Sequence, residues 1–288
     1  MEQVIVNGLY LGAQYALIAL GLTLIFALMN VLNFAHGQMY VLGGFVTYTV
    51  YGQWHLPFVV ALIASSVTLA VLGALIEKFL FRTVIRRSKR EESTMLLAAA
   101  IAFLFDAVIL LVFGEKGHGV PKILNGLLNT GPIIIPYDRI LVFGLAVVFI
   151  AVFMAFMQFS KTGRAMRALA QDRVAAQLMG VNVDRYSMIG FALGALLAGL
   201  VGGLLVSITG VSSGIGGAIS TKAFMMVMIG GAGVVAGAIA GGFILGMLEA
   251  VGLSVLHAYG DITYLAIFAS LMVFLAIRPN GLMGKPWG

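Results

Sequence analysis

The 288 residues are 61% hydrophobic and only 10% charged, with a net charge of +6, no cysteine and a mean hydropathy of +1.07. Soluble chains carry about 25% charge, so a soluble domain is excluded; so are disulfides, thiolate metal sites and a cysteine nucleophile. Apolar runs of bilayer-spanning length predict an all-α, polytopic membrane protein rather than a barrel, and the basic residues gather mostly in two loops, a positive-inside signal rather than a nucleic-acid surface.

The first run, 4–29, has no basic region before it, which argues against a cleavable signal peptide. Gly8 and Gly12 give it a close-packing face. NVLNFAHGQMYVLGGF (30–45) follows, in which Asn30, Asn33, His36 and Gln38 are too polar for lipid, and Gly37, Gly43 and Gly44 permit a break. Polar backbone at membrane depth is tolerated only against protein or a water-filled cavity. The stretch reads as a discontinuous helix or re-entrant segment lining a pathway; an ordinary cytoplasmic turn is the alternative. After a turn at 53–57, with Trp54 and His55 at the interface, span 58–79 runs into the basic cluster Arg82, Arg86, Arg87, Lys89 and Arg90. Span 94–113 carries Asp106, 114–138 is the longest outer connection, and span 139–159 returns inward.

GRAMRALAQDRVAAQLMGVNVDR (163–185) is a charged, helix-forming island between apolar runs. Gly163 opens it and Gly180 marks its end. At helical spacing Ala165, Ala168, Leu169, Ala176 and Met179 share a stripe with Asp172 in its middle, Arg164, Arg167 and Gln171 to one side and Arg173 on the other. A helix this short and polar cannot span. It lies along the membrane surface, either offering a small-residue face to a partner or acting as a solvated connector against headgroups.

Span 186–209 has Gly190/Gly194 and Ala195/Gly199/Gly203 at close-packing spacing. Residues 212–233 form a Gly-rich opening and a short apolar helix bearing Lys222. In 233–257, Gly233/Gly237/Gly241 and Gly242/Gly246 precede Glu249, deep in an apolar run. A last span, 262–278, ends in RPNGLMGK, whose Arg278 and Lys285 suggest the cytoplasm. The sum is eight to nine spans in one permease domain with two related halves, about 1–135 and 136–288. Each half holds an interrupted short helix (30–51 and 212–233), a pairing that points to a transporter's midplane site.

His36, His55, His118 and His257 are isolated, with no HExxH spacing, and Asp106 and Glu249 read as packed or paired groups rather than an acid–base couple. For Lys222 the interface ranks ahead of pairing with Glu249 or facing the pathway. The chain has no Walker phosphate loop, arginine ladder or TVGYG filter. Solute transport remains. The few interior ionisable groups disfavour an ion-coupled carrier, whereas a permease driven by a partner ATPase needs a smooth pathway and a cytoplasmic handle, which the surface helix supplies. A stand-alone facilitator ranks second, ahead of an ion-coupled carrier and an intramembrane enzyme.

Four stretches, YALIALGLTLIFALMNVLNFAHGQMY (15–40), 163–185, TKAFMMVMIGGAGVVAGAIAGGFILGMLEA (221–250) and RPNGLMGK (278–285), together resemble the LivH-type inner-membrane permeases of bacterial branched-chain amino-acid ABC transporters. The resemblance covers nearly the whole chain. It implies a multi-pass bacterial inner-membrane importer with a second related permease subunit, two cytoplasmic ATPases and a periplasmic solute-binding protein, ATP and Mg being held by partner subunits and no cofactor by this chain. Basic loops 82–90 and 161–185 would be cytoplasmic. By the same likeness 163–180 is the coupling helix, through Gly163, Arg164, Arg167, Ala168, Asp172, Ala176 and Gly180. Asn33, His36, Gly37 and Gln38 match the NFAHGE-type motif, Gln38 standing where an acidic residue is common; with Asn30 and Lys222 they are the candidate pathway residues. Similar permeases also move urea, short amides or aromatic compounds.

Overall fold

The computed structural model describes residues 1–88, 90–129, 131, 133–255 and 260–284; Lys89, His257 and Lys285 lie outside the described residues. The all-α membrane class is borne out: among the described residues six helices are long and apolar enough to cross a bilayer. Helix α1 (Glu2–Met29) ends at Asn30, whose φ of 52° is a left-handed geometry that Asn tolerates better than most side chains. Residues 30–35 are non-helical, and α2 (His36–Thr47), prolonged by a π-helical stretch Tyr48–Gln53, starts only after them. Pro57 then caps α3 (Phe58–Ile76), which runs through a π-helical turn, Glu77–Phe81, into α4 (Arg82–Arg87). There follow α5 (Glu91–Phe113), an antiparallel hairpin of β1 (Leu127–Asn129) and β2 (Ile134–Pro136), and α6 (Tyr137–Phe159). Outside the spans lie α7 (Lys161–Gln171) and α8 (Arg173–Leu178). The chain closes with α9 (Val183–Thr209), short α10 (Gly216–Gly230), α11 (Val235–Val255) and α12 (Gly260–Ile277).

Lipid offers no hydrophobic drive between helices, so close backbone approach has to hold them together, and the glycine spacings sort accordingly. On α9, Gly190 and Gly194 face Leu28, Gly21 and Ile25 of α1, whereas Gly199 and Gly203 face Leu69, Ser65 and Leu62 of α3. On α11, Gly237 and Gly241 meet the backbone of α10, and Gly242 and Gly246 meet that of α1 at Ala16 and Gly12. Helices α1 and α9 are therefore the central pillars, α1 packed along α11 from the other end of the chain and α9 along α3.

The Ser65 hydroxyl lies 2.7 Å from the Gly199 carbonyl and 3.0 Å from that of Gly43, and its single proton serves both. Ser65→Ala is expected to lower the melting temperature of the detergent-purified chain modestly, by the equivalent of about 0.6–1.7 kcal/mol. A gain in melting temperature would show that the bridge contributes nothing.

The hydrogen bonds also fix the two ends of the bundle. Gln3 Oε1 accepts from the Ile134 amide at 2.9 Å, which puts the start of the chain at the hairpin end. At the opposite end Arg82 donates to the Asp184 carbonyl at 2.9 Å and Arg86 pairs with the Asp184 carboxylate, bringing the two basic regions together.

Candidate functional site

The two interrupted segments converge. Helix α2 begins beside α1 at mid-length: His36 Nε2 lies 3.2 Å from the Ile18 carbonyl, an acceptor, so this nitrogen carries the proton. Gly37 N donates to Ser220 Oγ of α10 at 2.9 Å, and that hydroxyl in turn donates to the Phe34 carbonyl at 2.9 Å. A side chain on Gly37 would strike the Gly216 carbonyl, and one on Gly216 would strike Gln38. From this meeting point α2 climbs along α9 toward Val211 beyond its end, while α10 runs the other way, toward Asn280 and Gly284. Two short helices thus start side by side inside the bundle and leave in opposite directions.

The candidate pathway residues divide on inspection. Asn33, His36, Gly37 and Gln38 are buried at the convergence, and Asn30 is exposed below it. Asn33 Oδ1 accepts from the Ala35 amide at 3.1 Å, shaping the turn into α2. Its Nδ2, His36 Nδ1 and Gln38 Oε1 have no partner among the described residues.

Lys222 is elsewhere, and the expectation that ranked the interface first is corrected. Its Nζ lies 2.9 and 3.1 Å from the Glu249 carboxylate oxygens and 2.8 Å from the Tyr15 hydroxyl, over the faces of the Tyr15 and Tyr264 rings. Tyr15 and Tyr264 both donate to Glu249, at 2.5 and 2.8 Å. A lone ammonium and a lone carboxylate would each cost too much to bury, so the helices carrying them bring them together. Glu249 was legible as a buried carboxylate; Tyr15 and Tyr264 gave no signal within their own apolar runs. Asp106, the carboxylate of span 94–113, accepts from the Gly214 amide at 3.2 Å.

The cluster forms part of the wall of a cavity of about 310 Å³ between α1, α9, α10 and α11. Leu11, Gln14 and Thr209 are shared with a second cavity of about 530 Å³ lined by Gln3, Asn7, Tyr10 and Arg139 toward the hairpin end, so the two adjoin across these side chains.

The surface element differs from the sequence expectation in three ways. It is not one helix over 163–180: α7 starts at Lys161, capped by Ser160 Oγ on the Gly163 amide, and the chain breaks at Asp172. Asp172 adopts an extended backbone (φ −154°, ψ 111°) so that its carboxylate caps the Val174 and Ala175 amides of α8, each at 2.9 Å. A side chain able to cap beats helix continuity there. The small-residue stripe is not the free face either. Gly163, Met166, Leu169 and Ala176 are buried, while Ala165 and Ala168 are half-buried. Finally, Met179, expected on that stripe, is 85% exposed, and with Val174 and Leu178 it leaves an apolar crown facing outward. Arg164 is exposed, the exposed Arg167 donates to the Gln158 carbonyl at 3.2 Å, and Gly180 turns the chain with φ 85°.

A family model described as the branched-chain amino acid transport system permease component matches residues 4–277. The high-affinity branched-chain amino acid transport system permease protein LivH of Escherichia coli (strain K12) is 32% identical, over 97% of this chain and 94% of its own length. The corresponding protein BraD of Pseudomonas aeruginosa is also 32% identical, over 99% of this chain and 96% of its own. In fold, the chain is similar to one in the solved structure of PsaBC from Streptococcus pneumoniae in complex with Fab, with a TM-score of 0.53, 14% identity, and 96% and 92% of the two chains covered.

Proposed function

The chain belongs to the branched-chain amino acid transport permease family, and from that premise we propose that it is the membrane subunit of an ATP-driven importer for branched-chain or similarly apolar amino acids. The observation that carries the reading is the α7–α8 element. An exposed apolar crown, Val174, Leu178 and Met179, stands outside the spans at the end where the two basic regions meet. Exposed apolar clusters of this kind mark partner surfaces, and here the partner is a cytoplasmic ATPase that engages the crown as a helix in a groove.

The bacterial inner membrane is the setting, with the basic end cytoplasmic by the positive-inside rule and the hairpin end, with the chain's start, periplasmic. A binding protein delivers solute to the cavity lined by Gln3, Asn7, Tyr10 and Arg139 at that outer end. ATP closes a pair of ATPases below, and α8 passes the motion to α7. Helix α7 is anchored by buried Met166 and Leu169 and packs on α1, α6 and α9. Movement of α1 and α9 shifts the convergence of α2 and α10, the interrupted elements on which alternating access turns. A second related permease subunit completes the membrane portion.

The test is a mild-detergent pull-down from native membranes followed by an ATPase assay. Co-purifying ATPases stimulated by binding protein loaded with leucine, isoleucine or valine are the expected result. A lone chain that moves solute in liposomes without ATP would replace the importer by a facilitator.

A further inference from the structure

An ion pair between half-buried Lys222 and buried Glu249 borders a cavity inside the bundle, and its chemistry suits one class of solute. Lys222 and Glu249, joined by their hydrogen bond, line the cavity of about 310 Å³; most of the rest of its lining is apolar, with Leu11, Ile18, Ile219 and Met226. That volume is at the lower end of small-molecule sites. The pair is also self-contained. Glu249 takes hydrogen bonds from Lys222, Tyr15 and Tyr264, and Lys222 spends its donors on Glu249 and Tyr15. With three donors on an ammonium and about four acceptor positions on a carboxylate, neither group has much left to offer while the pair stays closed.

We propose that the Lys222–Glu249 pair is the solute-recognition site of the pathway, opened by an α-amino-acid zwitterion that inserts between its two members. The proposal rests on the importer reading above and goes beyond it by assigning recognition of the solute's ammonium and carboxylate to one named pair of residues. On insertion the solute carboxylate takes the hydrogen bonds of Lys222, the solute ammonium takes those of Glu249 and the Tyr15 hydroxyl, and the aliphatic side chain fills the apolar part. One ion pair becomes two, and no charge is left unpaired. A neutral amide, an amine or a carboxylic acid parts the pair without repairing both halves, and the uncompensated buried charge excludes it. Closed on itself without solute, the pair leaves no free charge in the cavity for a small ion to follow. An ion pair of purely structural use at this depth is a poor device, since apolar replacements are often as stable, and intramembrane ionisable groups are more often part of a pathway.

The experiment uses the whole complex in proteoliposomes with radiolabelled L-leucine, and the purified complex without binding protein for melting curves with and without millimolar leucine. Wild type takes up leucine, and leucine raises its melting temperature. Lys222→Met/Glu249→Gln, which removes both charges together, still co-purifies with the ATPases but loses leucine uptake at least tenfold, and leucine no longer shifts its melting. Glu249→Asp, which keeps the charge but withdraws it by one methylene, raises the half-saturating leucine concentration several-fold and decides the matter if the double variant does not assemble. A double variant that transports within twofold of wild type, or an unchanged Glu249→Asp, overturns the site and leaves the importer standing. A wild-type complex that moves urea or acetamide but no amino acid overturns the importer's solute class and this site with it.

Discussion

Replacing Leu178 and Met179 together by glutamate is expected to abolish ATP-driven uptake and release the ATPase subunits, while the chain still inserts and folds. The two side chains are 83% and 85% exposed, so they contribute almost nothing to the chain's own packing. Burying an apolar side chain of this size in a partner's groove is worth about 1.5–3 kcal/mol. Losing two corresponds to roughly 10²- to 10⁴-fold weaker docking at about 1.4 kcal/mol per decade, before the cost of burying two carboxylates. Co-purification of ATPases and leucine uptake are read side by side with the monodispersity of the detergent extract. Retention of the ATPases by the double variant would locate docking elsewhere on the basic end. Ala176→Leu provides the contrast. Ala176 is 5% exposed, so a larger side chain there disturbs the seating of α8 on the bundle and is expected to lower the melting temperature as well as uptake.

That contrast depends on features a single sequence does not display. The apolar and polar pattern of 163–180 was legible, as was its extramembrane position. Which face of it is free was not, because the break at Asp172 rotates α8 relative to α7, and an aspartate in an alanine-rich run reads as readily as a helical residue as it does as a cap. The interruption at 30–35 was legible for the opposite reason: Asn30, Asn33, His36 and Gln38 cannot face lipid, so the chain has to break or bury there whatever surrounds it. The glycine spacings were equally plain, but their partners were not; Gly242 and Gly246 announce a close contact without saying that it is α1, more than two hundred residues earlier. Lys222 and Glu249 belong to this long-range class, since their pairing depends on how α10 and α11 are hinged at Gly231 and Gly233 and on Tyr15 arriving from α1. The hairpin at 127–136 was read only as a long connection, its three-residue strands being too short to show alternation.

The seam between α1 and α11 is where the largest loss of folded protein is expected, from Gly246→Leu. A Cβ at Gly246 would meet the amide nitrogen and Cα of Gly12, and one at Gly242 would meet those of Ala16. No rotamer change relieves a clash with backbone, so the two helices have to move apart along the whole contact. Overpacking a well-formed core costs about 1–3 kcal/mol, occasionally more; here the separation also forfeits the van der Waals contact that, in lipid, is the main reason the helices associate. It has a second effect, because the seam carries Tyr15 on one side and Glu249 on the other, joined by a 2.5 Å hydrogen bond. Parting the helices unpairs the buried carboxylate from one of its donors and opens the cavity wall. Gly246→Leu is therefore expected to yield little monodisperse protein in mild detergent, and what survives is expected to melt well below wild type. Gly144→Leu on α6 is the matched control: nothing lies within 4 Å of a Cβ built there, so the same substitution on a lipid-facing surface is expected to leave yield and melting temperature near wild type. Equal behaviour of the two variants would mean that α1 and α11 are not held by backbone contact, and that the Tyr15–Glu249 bond is made by helices free to adjust.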